Sequence, residues 1–185
     1  MKEDKNRVFP AEKAGKLQSG WRRFLQNPMR ILKPYVKEGM VVLDFGCGPG
    51  FFTVEAAKLA GINGKVIAVD IQQAMLDKLS EAVKDNEIRQ RIILRKSEPS
   101  SIGVKEQVDI ALAFHVVHEV PDAKAFMNEP KTIVKPGGIF YLIEPKFRVS
   151  AEGFKKTVEL AEQAGFTKFA GPWLLLSRAA IFKNG

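Results

Sequence analysis

The sequence predicts an α/β fold built on a mainly parallel sheet. Short apolar runs of strand length alternate with amphipathic helical stretches along most of the 185 residues, which is typical of a sheet covered by helices on both faces. The most informative stretch is 41–52, VVLDFGCGPGFF, where an apolar run leads into an acid, three spaced glycines and a helical pattern. This order predicts a buried strand, a tight turn and the start of a helix. The length suits one domain with a substantial core.

Composition excludes several classes of protein. Apolar residues make up 45% of the chain, and none of the apolar runs approaches the roughly 18 residues of a membrane span. The charged start, MKEDKNR, has no apolar stretch behind it, so we expect no secretion signal, no membrane partner and a cytoplasmic location. A single cysteine, Cys47, rules out an internal disulfide and a cysteine-built metal site, and we expect no metal. The net charge of +8 leaves an acidic partner such as nucleic acid open.

The glycine turn separates two kinds of nucleotide site. A dinucleotide fingerprint requires G-x-G-x-x-G, but counting from Gly46 the third glycine position is occupied by Phe51. The pattern present is instead D-x-G-x-G-x-G, from Asp44 to Gly50. A carboxylate two residues before the first glycine repels a pyrophosphate and attracts a cation.

The next predicted strand, KVIAVD, supports a cationic adenosine ligand. It ends at Asp70, twenty residues beyond Gly50, where a carboxylate is expected to take two ribose hydroxyls. S-adenosylmethionine is an adenosine without phosphate that carries an ammonium and a sulfonium. With Asp44, the glycines and Asp70 in this arrangement, the chain resembles the class I (Rossmann-like) S-adenosylmethionine-dependent methyltransferases.

The resemblance covers roughly residues 40–185 and implies a three-layer α/β/α sandwich. Its seven-stranded, mostly parallel sheet would be closed by a C-terminal antiparallel hairpin. We therefore divide the chain into an N-terminal helical segment, 1–36, and a methyltransferase domain, 37–185. In such enzymes the first segment is variable and often lies over the ligand cleft, so 1–36 is expected to be a lid or, alternatively, a helix packed on the sheet edge.

The remaining elements follow in order along the chain. Asn27-Pro28 predicts a helix start, with Asn as N-cap and Pro at the first helical position, and Ser150 predicts another N-cap. Lys135-Pro136-Gly137-Gly138 is expected to be a turn. Periodicity predicts helices over 51–59, 72–83, 123–133 and 151–164. Strands are predicted over 41–43, 65–70, 91–94, 108–114 and 138–146, and a last pair over 166–176 and 178–182 joined by a tight turn.

The resemblance also implies which residues bind the cofactor. Ile71 would lie against the adenine face. After the third strand the family commonly has an acid and then a small residue, whereas this chain has Ser97-Glu98, so either side chain is a candidate to hold the adenine amino group. The complete expected set is Asp44, Gly46, Cys47 through its backbone, Gly48, Gly50, Asp70, Ile71, Ser97, Glu98, Ala113 and Phe114.

Both histidines of the chain follow the fourth predicted strand, in FHVVHEV. Ligands of open α/β sheets bind outside the carboxyl ends of the strands, so His115 and His118 are candidate catalytic residues. The family often has a histidine at the position of His118, where it can be architectural, and for that reason His115 is favoured for acceptor contact. Glu144 ends the fifth strand on the same rim and is a third candidate, either orienting an acceptor or pairing with Lys146 or Arg148.

Two features that the sequence lacks bear on the identity of the methyl acceptor. The N/D-P-P-aromatic stretch of base-amine methyltransferases is missing after the fourth strand, and Cys47, the residue that methylation of a pyrimidine carbon would need, lies in the glycine turn. The expected function is therefore methyl transfer from S-adenosylmethionine to a small molecule. An RNA methyltransferase using the basic surface and a non-catalytic cofactor-binding scaffold are the alternatives, and a nicotinamide dehydrogenase is disfavoured by the missing third glycine.

Overall fold

A computed structural model describes residue 12 and residues 26–185. These residues form a seven-stranded sheet in the order β3-β2-β1-β4-β5-β7-β6. The first five strands are parallel, and β7 runs antiparallel to both of its neighbours. The strands are β1 (Val41–Phe45), β2 (Lys65–Asp70), β3 (Ile92–Lys96), β4 (Val108–Phe114), β5 (Val134–Pro145), β6 (Phe166–Ala170) and β7 (Ser177–Asn184).

Five α-helices flank the sheet in the described part of the chain. They are α1 (Pro28–Leu32), α2 (Thr53–Ala60), α3 (Gln73–Val83), α4 (Ala123–Ile133) and α5 (Ala151–Gln163), with two 3-10 turns at Glu87–Arg91 and Val117–Glu119. Not one of these helices has the length and apolar character needed to span a bilayer.

The side chains of alternate strand residues pack in two separate cores, one on each face of the sheet. The sheet and the helices on its two faces form the three layers that the sequence predicts. On β1, Val42 packs in one cluster with side chains of α1, α2 and α3, while its neighbour Leu43 packs in a second cluster with side chains of α4 and α5. This alternation follows from the two-residue period of a strand. The predicted mostly parallel sheet with a C-terminal antiparallel pair is confirmed.

Both predicted helix caps form. The side chain of Asn27 accepts the Arg30 backbone N–H at 3.2 Å, and Pro28 takes the first helical position of α1. Ser150 accepts the Gly153 N–H at 3.0 Å at the start of α5. These contacts satisfy N–H groups that a helix start leaves without an intrahelical partner. Of the predicted N-terminal helical segment, residues 1–11 and 13–25 lie outside the described residues.

Two local predictions are wrong. The stretch 135–138 is not a separate turn, because β5 begins at Val134 and carries a register shift against β4 between Val108 and Ile110. A Cβ on Gly138 would lie 2.7 Å from Val134 Cγ1, so this irregularity needs a glycine. The last two strands are joined by six residues, 171–176, rather than by a tight turn.

Candidate functional site

The glycine turn after β1 is closed by hydrogen bonds within the protein. The N–H groups of Gly46 and Cys47 both donate to the carbonyl of Val69, at 2.8 and 3.0 Å. Gly48 donates to Oδ2 of Asp70 at 2.9 Å, and Gly50 donates to the carbonyl of Cys47 at 3.1 Å. These four donors are used inside the protein, so the turn is not the cradle of free N–H groups that binds phosphate in other nucleotide folds.

Backbone conformation explains the spacing of the glycines. Gly46, Gly48 and Gly50 have φ values of 69°, 53° and 91°, a region that side chains with a Cβ rarely occupy. At Gly46 there is also no space, since an added Cβ would lie 2.5 Å from Cγ2 of Val116. The turn therefore lies directly against the segment that follows β4.

Asp70 lies at the carboxyl end of β2 and holds two segments of the site together. Its Oδ2 accepts the Gly48 N–H, and its Oδ1 accepts the Gln72 N–H at 2.9 Å. Burial raises the pKa of this carboxyl, while the backbone hydrogen bonds act in the opposite direction. Each carboxylate oxygen still has a lone pair for a further donor, and the residue lines the cavity described below.

Asp44 is buried beneath the turn, with 2% of its surface exposed. Its Oδ2 accepts the hydroxyl of Thr53, at the start of α2, at 2.6 Å. Burial raises the pKa of Asp44 to about 7, the Thr53 hydroxyl lowers it and the nearby Asp70 raises it further. Near neutral pH Asp44 is therefore partly protonated, and a cation bound beside it would favour the ionised carboxylate.

A cavity of about 460 Å³ opens at the carboxyl ends of β1, β2, β3 and β4. Its lining includes ten of the fourteen residues that the sequence predicts for the site, and Pro49, Gln72 and Met75 complete the cofactor side. The predicted residues that line it are Gly46, Cys47, Gly48, Asp70, Ile71, Ser97, Glu98, Phe114, His115 and His118.

The other four predicted residues lie behind the cavity wall. Asp44 is covered by the turn, and Gly50 packs towards Leu79. Ala113 belongs to the core cluster on the α4 and α5 side of the sheet. Glu144 is 1% exposed and lies behind His118. These four residues do not line the cavity, so they influence a bound ligand only through the residues that lie between them and the cavity.

The cavity fits a cationic adenosine ligand. Near β2 and β3 it combines the apolar side chains of Ile71 and Pro99 with the polar groups of Ser97 and Glu98, a combination suited to a flat base with an exocyclic amine. Asp70 is placed to accept hydroxyl groups, and Asp44 adds negative charge beneath the turn. A pyrophosphate would instead meet two carboxylates and backbone donors that are already used.

Cys47 has no role as a nucleophile in this arrangement. Burial raises the pKa of its thiol well above the usual value, and the neighbouring Asp44 and Asp70 raise it further. A neutral, buried thiol is a poor nucleophile. Burial of the thiol thus disfavours chemistry that forms a covalent bond to cysteine at this position.

His118 is held by Glu144. Its Nδ1 lies 2.6 Å from Oε2 of Glu144, and its backbone N–H donates to Oε1 of the same carboxylate at 3.2 Å. Glu144 therefore pairs with His118 and not with Lys146 or Arg148. On the other side of the ring, Oε1 of Glu119 lies 3.7 Å from Nε2, which is an ion-pair distance and too long for a hydrogen bond.

His115 makes a different set of contacts. It has a φ of 60°, unusual for a residue with a Cβ, and its N–H donates to the Ile143 carbonyl at 2.7 Å. Its Nε2 lies 3.0 Å from Oγ of Ser177, which also accepts a hydrogen bond from the Gln26 side chain at 2.7 Å. His115 is thus tied into a chain of polar contacts that links Ser177 at the start of β7 to Gln26, two residues before α1.

Sequence reasoning missed most of the acceptor side of the cavity. Phe147 and Arg148 line it after β5, and their position just beyond a strand end was the available signal. Ser177 and Gln26 had no such signal, because they are 151 residues apart and meet only in the folded chain. Further apolar lining comes from Phe45, Phe51, Phe52, Val116, Val120, Pro121 and Pro145.

Comparison with known protein families agrees with this geometry. A family described as "Methyltransferase domain" matches residues 36–170. A demethylmenaquinone methyltransferase of Lactobacillus johnsonii is 30% identical over 128 residues, which cover 69% of this chain and 50% of that protein. A ribosomal protein L11 methyltransferase of Dictyoglomus thermophilum is 29% identical over 151 residues, covering 77% and 47%. The chain spans about half the length of these curated relatives.

Solved structures share the fold. A SAM-dependent methyltransferase from Aquifex aeolicus superposes with a TM-score of 0.87 and 26% identity, covering 96% of this chain and 100% of that one. Fibrillarin from Aeropyrum pernix, solved with natively bound S-adenosyl-L-methionine, superposes with a TM-score of 0.67. Its identity is 17%, and the match covers 85% of this chain and 74% of fibrillarin.

Proposed function

This chain belongs to the class I S-adenosylmethionine-dependent methyltransferases, and we propose that it methylates a small, largely apolar molecule bound beside the cofactor in the described cavity. One observation carries the proposal: the glycine turn uses its own N–H groups internally and has carboxylates beside and beneath it. This arrangement favours a cationic adenosine ligand over a phosphorylated one.

We assign the cofactor to the β1, β2 and β3 side of the cavity. Asp70 accepts the ribose hydroxyls, Ile71 packs against the adenine, and Ser97 or Glu98 holds the adenine amino group. The glycines at 46, 48 and 50, with the Cys47 backbone, follow the amino-acid part, and Asp44 contributes its charge from below. Phe114 closes the cavity at the end of β4, and Ala113 supports it from the core. When bound, S-adenosylmethionine supplies a methyl group on a sulfonium, so proximity and alignment account for much of the catalysis.

The acceptor side supports a small molecule. Between His115 and Arg148 the walls are mainly apolar and include Phe52, Val116 and Phe147. Such walls bind an uncharged ring or chain better than a strand of nucleic acid, whose phosphates need basic contacts. A demethylmenaquinone methyltransferase among the relatives is named for a small acceptor. Another relative is named for a protein acceptor, which makes protein methylation one of the outcomes to test.

The domain division stays part of the proposal. The family match covers residues 36–170, which supports a methyltransferase domain over 37–185 that is preceded by the N-terminal segment 1–36, whose helix α1 packs in the core of the domain. The cytoplasmic location also stays a prediction.

A labelling experiment tests the function without knowledge of the acceptor. Purified protein and S-adenosylmethionine labelled in the methyl group are incubated with a cell extract, in parallel with extracts pretreated with nuclease or protease. We expect label in an organic-soluble fraction of low molecular mass, unaffected by either treatment and lost with Asp70→Ala. Label removed by nuclease would favour an RNA methyltransferase, and label removed by protease a protein methyltransferase. Cofactor binding by the wild type without any labelling would favour the scaffold alternative.

A further inference from the structure

We propose that the acceptor is a weakly acidic hydroxyl compound, a phenol or an enol, that gives its proton to Nε2 of His118. Glu144 is the positioning residue behind that imidazole. The inference rests on the proposed function, and it adds the chemical class of the acceptor and the group that activates it.

The contacts of His118 fix its tautomer. Glu144 accepts the His118 backbone N–H through one oxygen and faces Nδ1 through the other, at 2.6 Å. A carboxylate that acts as acceptor in both contacts places the ring hydrogen on Nδ1, which leaves the lone pair on Nε2. With 1% of its surface exposed, Glu144 is shielded from water and stays in place behind the ring.

Nδ1 of His118 is turned towards the buried Glu144, while 19% of the His118 side chain is exposed, and we infer from this that Nε2 is on the cavity side of the pair. His118 and Glu119 both line the cavity, and the 3.7 Å between Nε2 and Oε1 of Glu119 is too long for a hydrogen bond. The lone pair of Nε2 is therefore available to a bound acceptor. The imidazolium formed by proton transfer would lie between two carboxylates, Glu144 and Glu119, which stabilises its charge.

The contacts of His115 favour His118 as the base, which reverses the preference drawn from the sequence. Nε2 of His115 lies 3.0 Å from the Ser177 hydroxyl, which Gln26 also contacts. To take a proton from a ligand through Nε2, His115 would first have to give up this buried contact. We assign His115 to shaping the acceptor side of the cavity.

Among the described residues of the cavity lining, Arg148 is the charge that suits a transient oxyanion. The acidic lining residues are Asp70, Glu98 and Glu119, with the neutral Cys47 thiol in the turn. Arg148 is the only arginine or lysine in the cavity lining as the structure describes it. Arg148 follows β5 and lines the same cavity as His118, so it can attract an acceptor oxygen as negative charge develops there.

The need for a base narrows the acceptor chemistry. An uncharged aromatic amine already has the lone pair that attacks a methyl group, and a thiol ionises readily near neutral pH. A phenol or enol is a weak nucleophile until its proton is removed, so a positioned base raises its reactivity most. The aromatic walls of Phe52, Phe114 and Phe147 accommodate a flat ring.

The step balances in atoms and charge. The acceptor O–H bond breaks and its proton goes to Nε2 of His118. The oxygen lone pair forms the new O–CH3 bond while the C–S bond breaks, and the bonding pair stays on sulfur, which leaves as a neutral thioether. The imidazolium then returns its proton to water, so no oxidant or reductant is required.

A spectroscopic experiment tests the proton transfer directly. Para-nitrophenol absorbs at a longer wavelength when ionised, so its absorbance reports its protonation state when bound. The protein is saturated with S-adenosylhomocysteine, the unreactive product of the cofactor, at a pH at which the free probe is mostly neutral. We expect a phenolate band on binding to the wild type, loss of the band with His118→Ala, and about a 10-fold lower phenolate-to-phenol ratio with Glu144→Gln. Absence of the band in the wild type, or an equal band in His118→Ala, would overturn the proposal.

Turnover gives a second readout that a merely structural role would not produce. With S-adenosylmethionine and unsubstituted phenol, which is almost wholly un-ionised near neutral pH, we expect the methyl ether by mass spectrometry and a 100- to 10,000-fold lower kcat/KM for His118→Ala. Added imidazole should restore part of that loss in His118→Ala but not in Glu144→Gln. The surface variant Glu152→Gln is a matched control for the Glu144 substitution, because Glu152 is exposed on α5 and pairs only with Lys156 among the described residues.

Different experimental results would overturn this inference and the proposed function. Methylation of aniline at the rate of phenol, with equal rates in the wild type and His118→Ala, would overturn the inference and leave a methyltransferase. Absence of S-adenosylhomocysteine binding in calorimetry would overturn the function itself, and the inference with it.

Discussion

Replacing Asp44 by asparagine tests the electrostatics of the glycine turn. Asp44 is buried, and its pKa is raised from 3.8 to about 7, mainly by desolvation. Asparagine has nearly the same shape and can still accept the Thr53 hydroxyl, which lies 2.6 Å from Oδ2 of Asp44, but it does not titrate. A comparison of Asp44→Asn with the wild type therefore isolates the contribution of the Asp44 proton to the pH dependence of stability.

The sign and size of the effect follow from linkage. Between the unfolded pKa of 3.8 and the folded value of about 7, the folded protein keeps a proton that the unfolded chain releases. Its contribution to stability is fully present below 3.8 and is lost as the pH rises towards 7. Each pH unit in that window changes the free energy of unfolding by about 1.4 kcal/mol. From about pH 7, where the group is half protonated, down to about pH 5, the wild type should gain about 2 kcal/mol relative to Asp44→Asn.

Urea unfolding of both proteins without cofactor, at several pH values from about 5 to about 8, measures this difference. The pKa of Asp70 is also raised by burial, but Asp70 is present in both proteins and its contribution largely cancels. Two curves of free energy against pH that run parallel over this range would refute the reasoning, because Asp44 would then be ionised throughout. A steeper curve for Asp44→Asn would refute its sign.

Three further substitutions test neighbouring parts of the account. Thr53→Val removes the hydrogen bond that lowers the pKa of Asp44, so the pH midpoint in the same unfolding series should move upwards; a downward shift would contradict this. Gly46→Ala adds a Cβ at a φ of 69° and 2.5 Å from Val116, which should cost about 2–5 kcal/mol in urea unfolding, whereas a loss below about 0.5 kcal/mol would show that Val116 moves freely. Ser150→Ala removes the N-cap of α5 and should cost about 1 kcal/mol with cofactor affinity unchanged; a change in affinity in calorimetry would contradict its purely structural role.

Much of the fold could be predicted because its signals are local. The strand, acid and glycines at 41–50 are contiguous in the sequence, and their order alone specifies a strand followed by a turn with positive φ. The caps at Asn27 and Ser150 likewise depend on residues no more than three positions away. The register shift at the start of β5 could not be predicted, since it depends on pairing with β4 earlier in the chain, and neither could the length of the β6–β7 connection, since the pairing of those two strands is also shifted.

The residues of the candidate site also divide into those that a local sequence motif predicts and those that it does not. Asp70 and the glycines were predictable because motif spacing places them at neighbouring strand ends. The sequence put His118 and Glu144 on one rim but not in contact, since 26 residues separate them and rotamers decide the pairing. The chain from His115 through Ser177 to Gln26 joins three distant segments, and no local pattern predicts it.

Isothermal calorimetry of cofactor binding tests the central claim most directly, namely that carboxylates beside an internally bonded glycine turn select a cationic adenosine ligand. S-adenosylmethionine and NAD are each titrated into the wild type, Asp70→Ala and Asp77→Ala. Asp77→Ala is a matched surface control, because the exposed Asp77 carboxylate accepts a hydrogen bond only from the Gln73 side chain among the described residues. We predict binding of S-adenosylmethionine, about a 10- to 100-fold loss of affinity in Asp70→Ala from two charge-assisted hydrogen bonds, no loss in Asp77→Ala and no binding of NAD. Tighter binding of NAD than of S-adenosylmethionine, or equal affinities in wild type and Asp70→Ala, would contradict the account.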